Sequence, residues 1–122
     1  NAYCWVLIGQ LAARLRITPL EVYREAICAI GGNYYVTPIK NDAVPRYRQI
    51  WEAHGLGWIC EEMGNSKLDG YTNVISYYGS SEYDTRQMSR LIDLIVTECK
   101  EQGINTLTPR EIALLKEGWK SG

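Results

Sequence analysis

Apolar residues recur along the chain with two different periods, and the switches between them mark the predicted elements. From about Ala2 to Arg16, the residues Trp5, Ile8, Leu11, Ala12 and Leu15 fall at helical spacing. Arg14 and Arg16 lie near the end of that segment, where cations suit the helix dipole. A second helix starts at Thr18, whose hydroxyl can cap it, while Pro19 fits the first turn and Glu21 completes a capping box. Leu20, Tyr23, Ala26, Ile27 and Ile30 form its predicted inner face, and Gly31-Gly32-Asn33 ends it.

The period then changes. Tyr34 to Ile39 is rich in strand formers, and Pro38 assigns it to a sheet edge or a short ribbon. Asn41-Asp42 predicts the cap of a third helix, with Val44, Tyr47, Ile50 and Trp51 inward. The pattern extends past Gly55-Leu56-Gly57 through Trp58 and Ile59. Gly64 to Gly70 is a predicted loop, and Tyr71 to Tyr78 a second strand that pairs with the first. After the turn Gly79-Ser80-Ser81, a fourth helix capped by Asp84 or Thr85 carries Met88, Leu91, Ile92, Ile95, Val96 and Cys99 as one stripe, and Gly103 stops it. Thr108 to Glu111 is a second capping box, opening a last helix with Ile112, Leu115 and Trp119 inward. The expected class is α+β: a predominantly helical bundle carrying a short antiparallel β-ribbon.

A chain of 122 residues with 46% hydrophobic and 22% charged residues predicts one globular domain spanning 1–122. The net charge of -1 excludes a strongly basic nucleic-acid glove but not a local basic face. The uncharged stretch Asn1 to Ala13 is shorter than the roughly 20 residues that span a bilayer, and no other uncharged run approaches that length. No basic segment precedes an apolar one at the start, so no signal peptide is expected. The chain opens on Asn1 already in full apolar pattern, without cap or turn, which predicts a fragment lacking its preceding part. Cys4, Cys28, Cys60 and Cys99 stand singly, and this scatter predicts buried small hydrophobes in a reducing compartment rather than a zinc site.

Little in the sequence suggests catalysis. The lone His54 excludes a two-histidine zinc protease helix, and no phosphate-cradling glycine loop is present. Gly55-x-Gly57 lacks the third glycine of a dinucleotide site. Ser80, Ser81 and His54 read as a polar turn and a surface histidine. Glu61, Glu62, Asp69, Glu82 and Asp84 read as solvated faces and caps. One constellation suits nucleic acid: Lys40, Arg46 and Arg48 interleave with Tyr34, Tyr35 and Tyr47, and Tyr71, Tyr77 and Tyr78 add rings on the second strand. Cations hold phosphate while rings stack on unpaired bases. The competing reading is that many of these tyrosines fill a core that has no Phe.

The order Val74-Ile75-Ser76-Tyr77-Tyr78-Gly79-Ser80-Ser81, then Met88 to Ile95, then Glu101-Gln102-Gly103-Ile104, resembles the NinB (Orf) recombination proteins of lambda-like phages. That family has a strand, a Ser/Thr-rich turn, a long amphipathic helix and a Glu-x-Gly stop in the same sequence. The segments Asn1 to Gly9, Leu20 to Ala26 and Thr108 to Trp119 are similar to its other helices. The resemblance spans the C-terminal two-thirds of a typical member, of the Gram-positive phage or prophage type. It implies a missing N-terminal sheet region and a non-catalytic accessory that binds single-stranded or gapped DNA. It also implies a homodimer in the host cytoplasm, acting with the host single-strand binding protein and helping to load a phage recombinase, with no cofactor and no membrane. By position it points to Ser80, Ser81 and the start of the next helix as DNA contacts. Where the lambda-type turn is followed by alternating basic residues, this chain has Glu82 and Asp84, with cations later at Arg86 and Arg90. The candidate DNA-binding residues are therefore Lys40, Arg46, Arg48, Tyr77, Ser80, Ser81, Arg86 and Arg90. The alternatives are a metal-dependent phage nuclease acting through carboxylates and a protein-interaction module without DNA contact.

Overall fold

The computed structural model describes residues 2–120; Asn1, on which the fragment reading partly rests, lies outside them. Among the described residues the order is α1 (Ala2–Leu15), α2 (Pro19–Ala29), β1 (Tyr34–Lys40), a 3-10 turn (Asn41–Ala43), α3 (Val44–Glu52), β2 (Ile59–Asn65), β3 (Tyr71–Tyr77), a second 3-10 turn (Ser80–Glu82), α4 (Thr85–Glu101) and α5 (Pro109–Lys120). The class is α+β, with helices dominant and one antiparallel sheet. No helix among the described residues is long and apolar enough to cross a membrane.

The helices begin and end where local chemistry dictates. Thr18 Oγ1 accepts from the Glu21 backbone N–H at 3.1 Å, and the Glu21 carboxylate accepts from the Thr18 N–H at 2.8 Å. Thr108 and Glu111 repeat the arrangement at the head of α5, and these bonds hold the Glu111 carboxyl below its usual range. Asp84 and Gln87 form a third box at the head of α4. At its other end, the Gly103 N–H donates to Lys100 O and the Ile104 N–H to Cys99 O, a Schellman closure that Gly103 permits with φ of 72°. Thr18→Ala removes one such cap, with an expected cost of about 1 kcal/mol in urea unfolding; an unchanged midpoint would show that the cap is dispensable.

Most of the apolar surface is buried where α1, α2 and α4 meet, with α5 closing one side. The stripe of α4 matches the sequence pattern: Leu91, Ile92, Ile95, Val96 and Cys99 are buried and Met88 packs at the margin. Ile112 is buried, and Leu115 and Trp119 lie against the same core. The inner face of α1 is rotated from the expected one. Cys4, Leu7, Ile8, Leu11 and Ala12 are buried, while Trp5 and Leu15 are exposed. In α2, Val22 takes the inner place expected of Leu20. Both helices are apolar over more than one face, so periodicity alone fixes the stripe only to within a residue.

The sheet has three strands in the order β1-β3-β2, not the two of the expected ribbon. β1 pairs with β3 in the register Tyr34↔Tyr77 to Lys40↔Tyr71, as an edge strand, which accommodates Pro38. β2 pairs with the other side of β3, from Ile59↔Tyr77 to Asn65↔Thr72, with an irregularity between Glu62 and Gly64. The expected continuation of the third helix through Trp58 and Ile59 is therefore incorrect: α3 ends at Glu52, and Ile59 opens a strand. The predicted loop also starts later, after Asn65. Asn41 and Asp42 form the 3-10 turn rather than a cap, and the Asn41 side chain accepts from the Thr72 hydroxyl at 2.7 Å.

Register places Tyr35, Thr37 and Ile39 on the sheet face shared with Cys60, Val74 and Ser76. Helix α3 covers this face. Val44, Cys60 and Val74 form a second small core, with Ile39, Tyr47 and Trp51 against it. The Tyr47 hydroxyl meets Ser76 Oγ at 2.7 Å, and Trp51 Nε1 donates to Tyr77 O at 2.7 Å. None of the four cysteines is joined in a disulfide. Burial pushes the Cys4 thiol up to about 11 and raises Cys28, Cys60 and Cys99, as expected of inert packing residues.

Candidate nucleic-acid interface

Beyond the end of the small core, α3 presents aromatic rings at helical spacing. Tyr47 and Trp51 follow one another up the helix, stacked at 6.2 Å between ring centres, and His54 continues the row in the turn just past its end. The chain turns at Gly55 and brings Trp58 back beside them, edge-on to Trp51 at 5.0 Å and stacked on His54 at 4.7 Å. From the sheet, Tyr35 stands edge-on to Trp51 at 6.5 Å and 5.8 Å from Tyr78. Tyr35, Trp51, Trp58 and Tyr78, with Glu82 from the second 3-10 turn, line a cleft of about 250 Å³. Tyr35 is 61% exposed, so this wall faces solvent.

Two glycines allow the backbone to pass close to these rings. A Cβ on Gly79 would lie 2.9 Å from Cδ1 and Nε1 of Trp58. A Cβ on Gly57 would lie 2.9 Å from the Tyr23 ring and hydroxyl and 3.1 Å from Gly79 Cα. Gly57 thus serves close packing against Gly79 rather than any dinucleotide turn.

The cleft is joined to a cationic helix end through one carbonyl. Gly32 O accepts from the Tyr78 hydroxyl at 3.3 Å and from Gln87 Nε2 at 3.0 Å, and Gln87 also donates to Tyr78 Oη at 2.7 Å. Arg90 is at the same place: a Cβ on Gly32 would lie 3.2 Å from Arg90 Nη1. Arg86 precedes Arg90 by one helical turn, and both are exposed. Tyr78 and Arg90 therefore meet at Gly32.

The residues expected from sequence divide accordingly. Arg90 lies beside Gly32, Arg86 stands one turn before it on α4, and Ser80 and Ser81 share the 3-10 turn that carries Glu82. Ser81 is exposed, but the Ser80 hydroxyl is engaged with the Tyr23 hydroxyl at 2.6 Å. Tyr77 is buried in the main core, where desolvation raises its hydroxyl's pKa, so its ring is not available to stack on a base. Lys40 lies at the opposite end of β1 from Tyr34, paired across to Tyr71. Arg46 is exposed on the first half of α3, while Arg48 is turned toward β2, donating to Cys60 O at 2.9 Å and facing Glu62 at 3.8 Å. Trp51, His54, Trp58 and Glu82 are not among the contacts expected from sequence, where Trp51 and Trp58 read as helix-face residues, His54 as a surface histidine and Glu82 as a solvated carboxylate. The spacing Tyr47, Trp51, His54 was the available signal for the first two, but the return of Trp58 depends on where β2 pairs.

Among the described residues, no three His, Cys, Asp or Glu side chains converge as a metal site. The chain matches no family model, no curated protein and no solved structure.

Proposed function

We propose that the chain binds an unpaired nucleic-acid strand without cutting it. One observation carries the reading: a solvent-facing aromatic cleft meets an exposed arginine at Gly32. A base seated against Tyr35, Trp51, Trp58 and Tyr78 gains stacking on the order of 1–3 kcal/mol. Its phosphate then falls toward Arg90 and Arg86, which hold it by charge. With its net charge of -1, the chain relies on this local pairing of rings and cations rather than on an overall positive field. The resemblance to the NinB family adds the biological setting: a homodimeric phage recombination accessory in the host cytoplasm. There it works beside the host single-strand binding protein and helps to load a phage recombinase on single-stranded or gapped DNA.

The test is titration of labelled single-stranded DNA over a range of salt. Affinity is expected to fall with salt, and Arg86→Ala and Arg90→Ala each to lessen the log–log slope by about 0.7. DNA incubated with the protein and magnesium or manganese is expected to remain intact. Absence of binding at low salt refutes the reading and favours an interaction module; metal-dependent cleavage favours the nuclease.

A further inference from the structure

Resting on that strand-binding reading, we propose that the cleft selects guanine and that Glu82 reads the base. Glu82 is the one side chain lining the cleft that is not aromatic. The ion pairs among the described residues join Arg48 to Glu62 and Lys116 to Asp93, so neither engages it. Its backbone N–H donates to Gly79 O at 3.1 Å, which fixes the turn that sets Glu82 at the cleft wall.

An ionised carboxylate has two acceptor oxygens side by side and no donor. Guanine alone among the DNA bases offers two adjacent donors on its pairing edge, N1–H and the N2 amine. Cytosine and adenine each place a ring acceptor beside their amine, and thymine places carbonyls on both sides of its N3–H. Their lone pairs would face the second carboxylate oxygen and repel it. Stacking on the walls is shared by every base, so the rings supply affinity and the carboxylate supplies the choice. Such a bond is charge-assisted and partly shielded by the rings, which strengthens it. The division of labour also reconciles a carboxylate with a polyanion: Glu82 meets the base edge, and Arg90, beside Gly32, meets the phosphate.

The experiment uses the chain with fluorescein-labelled oligothymidylate carrying one central dG, deoxyinosine, dA or dC, read by anisotropy. The dG strand is expected to bind about tenfold tighter than unsubstituted oligothymidylate, with deoxyinosine, which lacks the N2 amine, in between. Glu82→Gln replaces one acceptor with a donor and is expected to abolish the dG preference while plain oligothymidylate still binds. Glu82 is exposed, so the variant keeps its fold. Equal affinity for all strands, or a dG preference that survives Glu82→Gln, overturns the guanine assignment and leaves strand binding standing. Failure of every strand to bind overturns both. Tryptophan quenching by tetramethylammonium but not by the dG strand assigns the rings to an organic cation and also overturns it.

Discussion

Asn33→Asp is expected to cost about 3 kcal/mol of stability at neutral pH, and less as the pH falls. Asn33 is fully buried at 0% exposure between α2 and β1. Its Nδ2 donates to Ile27 O at 2.8 Å and to the Tyr83 hydroxyl at 2.7 Å, and its backbone oxygen accepts from the Tyr78 N–H at 3.1 Å. One side chain thus ties the end of α2 to the turn before α4, while its backbone holds the segment that carries Tyr78. An aspartate replaces the donor with a charged acceptor facing the Ile27 carbonyl. Burial favours its neutral form, so the folded-state pKa rises above the ordinary value of about 3.9. A raised folded pKa means that the folded state holds the proton more tightly. The variant's deficit is therefore smallest below that ordinary value and grows as pH rises, by about 1.4 kcal/mol per pH unit, until the raised pKa is passed. Urea unfolding of both proteins from acid to neutral pH measures this. A deficit independent of pH would show that the new carboxylate reaches water and that Asn33 is not the sealed tie described above.

Trp51→Ala is expected to damage stability and binding together. The indole packs on the Val44, Cys60 and Val74 cluster, donates to Tyr77 O at 2.7 Å, and touches Tyr35, Tyr47 and Trp58. Removing it opens a cavity under α3 and leaves a strand carbonyl without its donor. The expected cost is about 3 kcal/mol, the lower end of the range for large aromatic residues because Trp51 is only half-buried. It also removes one wall of the cleft, so under the proposed function strand affinity is expected to fall by about tenfold. Trp51→Phe separates the two roles: it restores most of the contact area but not the bond, and loses only about 1 kcal/mol. Wild-type stability in Trp51→Ala would mean that α3 is held by other contacts. Wild-type affinity in a folded variant would remove the cleft from strand binding.

The structure shifts the surface that bears on the proposed strand binding. Lys40, Arg46 and Arg48 were drawn together by their closeness in sequence around a strand and a helix start. In space, Lys40 ends a strand, and Arg48 turns to Cys60 and Glu62 on β2. Tyr77 was grouped with Tyr78 as a strand aromatic, yet neighbouring residues of a strand face opposite sides. Tyr77 enters the core and Tyr78 lines the cleft. Arg86 and Arg90 keep their one-turn spacing on α4 because helical geometry is local.

What the sequence determined by itself is what short-range chemistry controls. The two Thr-x-x-Glu boxes, the Asp84 cap, the Gly103 stop and the α4 stripe depend only on residues a few positions apart. Pro38 likewise announced an edge strand, because its missing N–H bars it from a central one. The third strand was hidden because Ile59–Asn65 carries no clean alternation: only Ile59 and Cys60 are buried, and its pairing partners lie a loop away on β3. That pairing turns Trp58 back onto Trp51, and with it come Tyr35, Tyr78 and Glu82. The cleft exists only once segments distant in sequence are packed together, since a pocket is a relation between surfaces and no single stretch of chain contains it.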